Sequence, residues 1–253
     1  MALTFGSLFA GIGGFDLGLE RAGMVCKWQV EIDPYARRVL EKHWPAVPKW
    51  DDVRTFPPNG NWLVDVICGG FPCQDISVAG KGAGIDGERS GLWSEYVRII
   101  RLLRPRFVIV ENVPSLTFRG LDRVLGDLAE SGFDAEWDCL SASRFGMPHQ
   151  RERLFILAYS SVFRRQEMVC REAGFSNAKT ERWETGNVDS QDSEDKRLSK
   201  IEAVCGESAI LGTRDGIPYL VDRLGCLGNA VVPQVAEFIG RLIAEADERG
   251  VPR

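Results

Sequence analysis

Apolar positions in this chain follow two spacings that alternate. Thr4 to Phe9 is a short apolar run broken by Gly11, Gly13 and Gly14, and it predicts a strand. Phe15, Leu19 and Ala22 then share one face at helical spacing, with Gly23 as a stop. Met24 to Val30 predicts a second strand, and Asp33-Pro34 has the form of an N-cap followed by a first-turn proline, opening a helix to about His43. A weak strand is expected within Pro45 to Val53, and a buried one over Val64 to Cys68, ending at Gly69-Gly70. Leu92 to Leu103 is helical and stops before Pro105. Phe107 to Val110 is an apolar strand ending at Glu111-Asn112, and Leu121 to Ser131 is a helix closed by Gly132. Ala135 to Leu140 and Leu154 to Tyr159 predict two last strands. No helix separates them, so they are expected to form an antiparallel edge.

Strands alternating with helices of this length predict an α/β fold with a doubly wound, Rossmann-like parallel sheet. The pattern fades from Ser160 to Ile217, where Glu184 to Lys196 is nearly free of large apolar residues and reads as a loop or disordered insert. It returns at Tyr219, and Gln234 to Glu245 is an amphipathic helix expected to pack against the first helices. Three parts follow: residues 1–159, an insert over 160–217, and a returning segment over 218–253. Gly80 to Gly91 holds five glycines and several charges, and reads as a mobile loop.

Composition alters this picture little. At 44% hydrophobic and 26% charged residues, the chain can bury a real core. Neither a membrane span nor a secretory signal is expected. Seven scattered cysteines without a C-x-x-C pair, and only two histidines, speak against a disulfide framework and a zinc site. A cytoplasmic setting is expected. The net charge of −5 leaves nucleic-acid binding to a local basic strip.

Two regions carry candidate chemistry. Phe9 to Gly14 turns between a strand and a helix, and Glu31 ends the next strand 20 residues after Gly11. In nucleotide-binding α/β folds such a carboxylate accepts hydrogen bonds from ribose hydroxyls. G-x-G-G lacks the third glycine of a pyrophosphate site, which points to a nucleoside without phosphate. In the second region, Gly69 to Gln74 places Cys73 after a buried strand, and Glu111 ends the next. A nucleophile and a general acid at adjacent strand ends is one reading. An inert cysteine and a capping or ion-paired glutamate is the other. Arg151 and Arg153, two apart on a strand, point to one face, where they could hold a phosphate or a base or be merely solvated.

Together these segments resemble the DNA cytosine-C5 methyltransferases, in the short form common in bacteria and their phages. The resemblance runs through Leu8 to Phe15, Glu31 to Ala36, Gly70 to Gln74, Glu111-Asn112-Val113, Gln150 to Arg153 and Gly228 to Pro233, in the family's order and spacing. It implies S-adenosylmethionine as cofactor, duplex DNA as substrate and no metal. By the resemblance, Cys73 would be the covalent nucleophile, Glu111 the acid at cytosine N3, and Arg151 and Arg153 the groups holding the base. Phe9, Gly11, Ile12, Glu31, Ile32, Asp52, Val53, Pro72, Leu92 and Asn229 would line the cofactor pocket. Gln74 to Gly91 would close on DNA, with Gln74, Ser77 and Arg89 in contact with it. The target base would have to leave the duplex.

The insert departs from the family, whose members carry a target-recognition domain there. Residues 160–217 are short for that task and hold nine Lys and Arg against eleven Asp and Glu. A groove-reading surface is usually basic. Weak sequence specificity, or specificity supplied by another chain, is therefore expected. A cognate restriction endonuclease is left open. So are transfer RNA as an alternative substrate on the same scaffold and a decayed relative that binds without turnover.

Overall fold

The computed structural model describes residues 1–72, 92–160 and 229–248. Cys73, the loop to Gly91 with Gln74, Ser77 and Arg89, the insert over 161–217, and residues 218–228 lie outside the described residues.

The chain divides into two compact units, residues 1–179 with 230–253, and residues 180–229. Asn229 is the one described residue of the second. In the first, β1 (Thr4–Leu8), α1 (Gly14–Arg21), β2 (Val25–Val30), α2 (Pro34–His43) and β3 (Lys49–Trp50) come first. They are followed by β4 (Val66–Gly70), α3 (Leu92–Leu103), β5 (Phe107–Asn112), the short α4 (Leu116–Arg119) and α5 (Leu121–Glu130). The last elements are β6 (Phe133–Ser141), β7 (Glu152–Ser160) and α6 (Pro233–Glu248).

The seven strands form one sheet in the order β3-β2-β1-β4-β5-β7-β6. The first five are parallel, and β7 runs antiparallel between β5 and β6, which makes the expected antiparallel edge. Both faces of the sheet are covered. Val66, Cys68, Phe107 and Ile109 point to one side, with Phe15 and Leu19 of α1 and Ile239 and Ile243 of α6. Ile67, Val108 and Val110 point to the other, with Tyr96 and Ile100 of α3 and Val124 and Leu128 of α5. Covering both faces explains why β5 reads as a continuous apolar run rather than an alternating one.

Local chemistry sets the helix ends as expected. The Asp33 side chain accepts from the N–H groups of Tyr35 and Ala36, both at 2.8 Å, with Pro34 in the first turn. The weak strand expected over 45–53 shrinks to the two residues of β3, and Pro45 and Pro48 nearby explain its brevity, since proline cannot donate to a ladder. The closing helix α6 packs on α1 through a close backbone approach. A side chain at Gly18 would place its first carbon 2.4 Å from the carbonyl oxygen of Pro233. Arg106 pairs with Asp247 of α6 and, at 3.7 Å, with Asp65, tying the far end of that helix to the sheet.

No helix among the described residues is long and apolar enough to cross a membrane. Among the described residues no group of three or more His, Cys, Asp or Glu side chains could hold a metal ion.

Candidate active site

The sheet order reverses direction between β1 and β4, and ligands in open α/β sheets bind beyond the carboxyl ends of strands at such a point. A cavity of about 360 Å³ opens there, lined by Phe9, Val30, Glu31, Ile32, Asp52, Val53, Arg54, Pro72 and Leu92. These residues end or follow β1, β2, β3 and β4 or open α3. The volume falls in the roughly 300–1,000 Å³ range of small-molecule sites. Seven of the ten residues expected at the cofactor are in this lining. Gly11 and Ile12 are half-buried beside it, and Asn229 is exposed.

Glu31 is 9% exposed, and its carboxylate organises the turn around it. It accepts the Gly11 N–H at 2.7 Å and the Asp33 N–H at 2.8 Å. Burial pushes its pKa up, against these two backbone bonds, which favour the charge. Gly11 and Phe9 have φ values of 56° and 51°. The left-handed backbone is ordinary for glycine and costly for phenylalanine, a strain often stored at a binding site.

Across β4 lies a second cluster. Gly70 pairs with Glu111 in register, so the residues after β4 emerge beside the Glu111 side chain. Glu111 is 8% exposed and meets Arg153 Nε at 3.2 Å. Burial pushes its pKa up to about 7, with the charges of Arg153 and then Arg151 opposing. Arg151 is itself half-buried, and burial followed by the Arg153 charge lowers its own pKa, while Glu111 raises it. The three expected residues are thus one electrostatic group. A carboxyl with a pKa near neutrality can hold or release a proton at working pH.

Three further residues contribute to which the sequence reading gave no role, although Gly70 and Asn112 lie within its motifs. Arg54 lines the cavity beside Asp52. Asn112 donates from Nδ2 to the Phe71 carbonyl at 3.3 Å, bracing the segment that leads to Pro72 and Cys73 against the end of β5. Gly70 leaves room for Glu111, because a first side-chain carbon there would lie 2.5 Å from Glu111 Oε2. Gly70→Ala should therefore cost about 1–3 kcal/mol by overpacking. The cost should largely vanish when combined with Glu111→Ala, and denaturant midpoints of the two single variants and the double would measure this.

The family model of C-5 cytosine-specific DNA methylase matches residues 3–208. The type II methyltransferase M2.BsuMI of Bacillus subtilis is 37% identical over 163 residues, which are 60% of this chain and 41% of that protein. M.HhaI of Haemophilus parahaemolyticus is 33% identical over 165 residues, 62% of this chain and 49% of that one. The chain thus spans less than half the length of these relatives. Among solved structures, a DNA modification methyltransferase encoded within an E. coli prophage superposes with a TM-score of 0.56 at 25% identity, over 67% of this chain and 50% of that one. The Entamoeba histolytica methyltransferase EhMeth shares the fold over 97% of this chain and 99% of its own, with a TM-score of 0.66 at 15% identity. With most of its length matched by one family model, the chain belongs to the C-5 cytosine-specific DNA methylase family.

Proposed function

We propose that the chain transfers a methyl group from S-adenosylmethionine to C5 of a flipped-out cytosine in DNA, through a covalent bond between Cys73 and C6. The observation that carries this is the buried Glu111, its pKa pushed up to about 7 and ion-paired with Arg153. It sits one strand from the segment leading to Cys73 and close to a cavity that fits a nucleoside.

The cavity suits the cofactor in size and chemistry. Glu31 would take the ribose hydroxyls, while Phe9, Val53, Pro72 and Leu92 supply apolar walls. S-Adenosylmethionine, when bound, supplies an electrophilic methyl group on a sulfonium. The protein's own task is to make C5 nucleophilic. The Cys73 thiolate adds to C6, breaking ring aromaticity, while Glu111 gives its proton to N3 so that no anion accumulates on the ring. Arg151 and Arg153 hold the base on the side of Glu111. After methyl transfer, a base removes the C5 proton, the C5–C6 double bond re-forms, the Cys73 sulfur leaves as thiolate and the N3 proton returns to Glu111. Gln74, Ser77 and Arg89 would contact DNA, and residues 160–217 serve as a reduced recognition segment.

The test incubates the full chain with methyl-labelled S-adenosylmethionine and duplex DNA, then identifies the labelled nucleoside by mass spectrometry. Label in 5-methylcytosine is expected. Label on an exocyclic amine, or transfer to transfer RNA and not to DNA, would overturn the assignment. Glu31→Ala should weaken binding of S-adenosylhomocysteine by about tenfold or more, since each charge-assisted hydrogen bond is worth roughly 1.5–3 kcal/mol. Calorimetry on a variant that still melts cooperatively measures it.

A further inference from the structure

Helix α1 starts without a local cap. Its N-cap residue, Gly13, makes no side-chain hydrogen bond, whereas Asp33 caps α2. The first turn is held instead by the side chain of Asp16, which is fully buried against the sheet. Asp16 Oδ1 accepts from Gln29 Nε2 at 2.8 Å and from the Cys26 thiol at 3.5 Å, and Oδ2 accepts from Ser7 Oγ at 3.2 Å. Ser7 of β1 and Gln29 of β2 are register partners, so Asp16 joins α1 to the two strands that lead into the cavity. Lys49, the register partner of Gln29 on β3, directs its ammonium to the Trp44 and Val47 carbonyls at 2.6 and 2.8 Å. Among the described residues the Asp16 carboxylate is thus held by neutral donors, and burying a charge without an ion pair is costly. Burial pushes its pKa up, with the Gln29 bond first among the influences opposing that. Gln29 Oε1 is also buried and has no hydrogen-bond partner among the described residues. Stability gives no adequate reason for this pair.

Its position supplies one. Gln29 and Glu31 are two residues apart at the end of β2, and each makes a bond to the segment running from β1 into α1. On the cavity side Glu31 accepts the Gly11 N–H, and on the buried side Gln29 donates to Asp16. Between these two bonds lies the turn with left-handed φ values of 56° at Gly11 and 89° at Gly13. Glycines lose more conformational freedom on ordering than other residues, so this turn needs to be held. A ligand in the cavity draws on Glu31 and so acts on the first bond. It cannot reach the second, because Ser7, Asp16 and Gln29 are buried. The Asp16–Gln29 bond therefore holds the turn whether or not the cavity is filled.

We propose that Asp16 is a positioning residue of the cofactor site, which through Gln29 and Ser7 fixes the start of α1 and keeps the Gly11–Gly14 turn in its binding conformation before cofactor arrives. This rests on the reading of the cavity as the S-adenosylmethionine site. Asp16 touches no ligand. It orders the turn at folding, so that binding does not have to. Asp16→Asn preserves the arrangement, since the amide oxygen accepts from Gln29 and the amide nitrogen can donate to Ser7 Oγ. Asp16→Ala removes the acceptor. Gln29→Met removes the donor together with the buried Gln29 carbonyl.

The test is calorimetry on the full chain with S-adenosylhomocysteine, alongside steady-state methyl transfer to duplex DNA. Asp16→Ala and Gln29→Met are each expected to weaken binding about tenfold, the cost of fixing about one residue's backbone at the moment of binding. KM for S-adenosylmethionine should rise by a like factor while kcat at saturation stays within about twofold, as for a loss of binding alone. Asp16→Asn should bind within about threefold of wild type, because it keeps the hydrogen bonds. Unchanged affinity in Gln29→Met, whatever its melting temperature, overturns the positioning role and leaves the cavity reading intact. This variant decides the matter where Asp16→Ala does not fold. Asp16→Asn binding as weakly as Asp16→Ala also overturns it, since hydrogen bonding would then not be the cause. Wild type that does not bind overturns the cavity reading and this inference with it.

Discussion

Cys73→Ser is expected to fold, to bind cofactor and to lose methyl transfer almost completely. A serine hydroxyl is not ionised at neutral pH, whereas a thiol is partly so, and the thiolate is the attacking species. The chain's other cysteines offer contrast. Cys26 and Cys68 are buried under the sheet, and burial first, then the neighbouring Asp16 charge, pushes both thiols well above the ordinary range. Cys139 is also raised, mainly by burial. None of these three is poised to react, so serine at each should leave activity largely intact apart from a stability loss at the two buried sites. Duplex DNA containing 5-fluorocytosine should trap a covalent complex with wild type only when S-adenosylmethionine is present. Fluorine at C5 cannot leave as a proton does, so the sulfur stays bound after methyl transfer. Mass spectrometry of the trapped peptide should place the base on Cys73. An adduct on another cysteine, or turnover by Cys73→Ser, would defeat the covalent mechanism while sparing the cofactor site.

Glu111→Gln carries the second large effect, a loss of about 10²–10⁴ in turnover, the usual worth of a positioned general acid. Its pH behaviour is the more specific check. The acid form is needed at N3, so in wild type kcat/KM should fall as pH rises through about 7, where Glu111 loses its proton. Arg153→Met removes the largest influence holding that pKa down. It should move the alkaline limb to higher pH, because a nearby positive charge favours the carboxylate. Stability follows with a definite sign. The folded pKa of about 7 lies above the ordinary 4.5, so the folded state binds the extra proton. Stability from this group is full below pH 4.5 and is lost between there and about pH 7. Glu111→Gln should therefore gain stability over wild type at pH 8, up to roughly 3 kcal/mol, and little at pH 4. Melting at the two pH values tests this, and equal differences at both would contradict a buried, proton-holding Glu111.

The boundary between what the chain's pattern contains and what folding adds falls at the range of the interactions. Strands, helices and the Asp33 cap were legible because each depends on a few consecutive residues, and the antiparallel edge followed from a missing crossover helix between β6 and β7. Most of the cavity lining was named in advance from the family resemblance, and the structure brings these residues together because parallel strands align their carboxyl ends. Other features had no local signal. The close seating of α6 on Gly18 of α1 depends on segments far apart in the chain. The proton affinity of Glu111 comes from burial contributed by several elements, and from arginines 40 and more residues away that reach it only through the β5–β7 pairing. Gly70 reads in sequence as a turn residue, and its steric reason appears only when Glu111 is placed across from it. Asp52 and Arg54 are close in sequence, yet only the tertiary structure puts both on the wall of a cavity. By itself the sequence determined most of the elements and the family. The tertiary structure decided the ionisation of Glu111, its steric freedom and the partners of Asp16, because burial and distance are properties of the packed whole and not of any one segment.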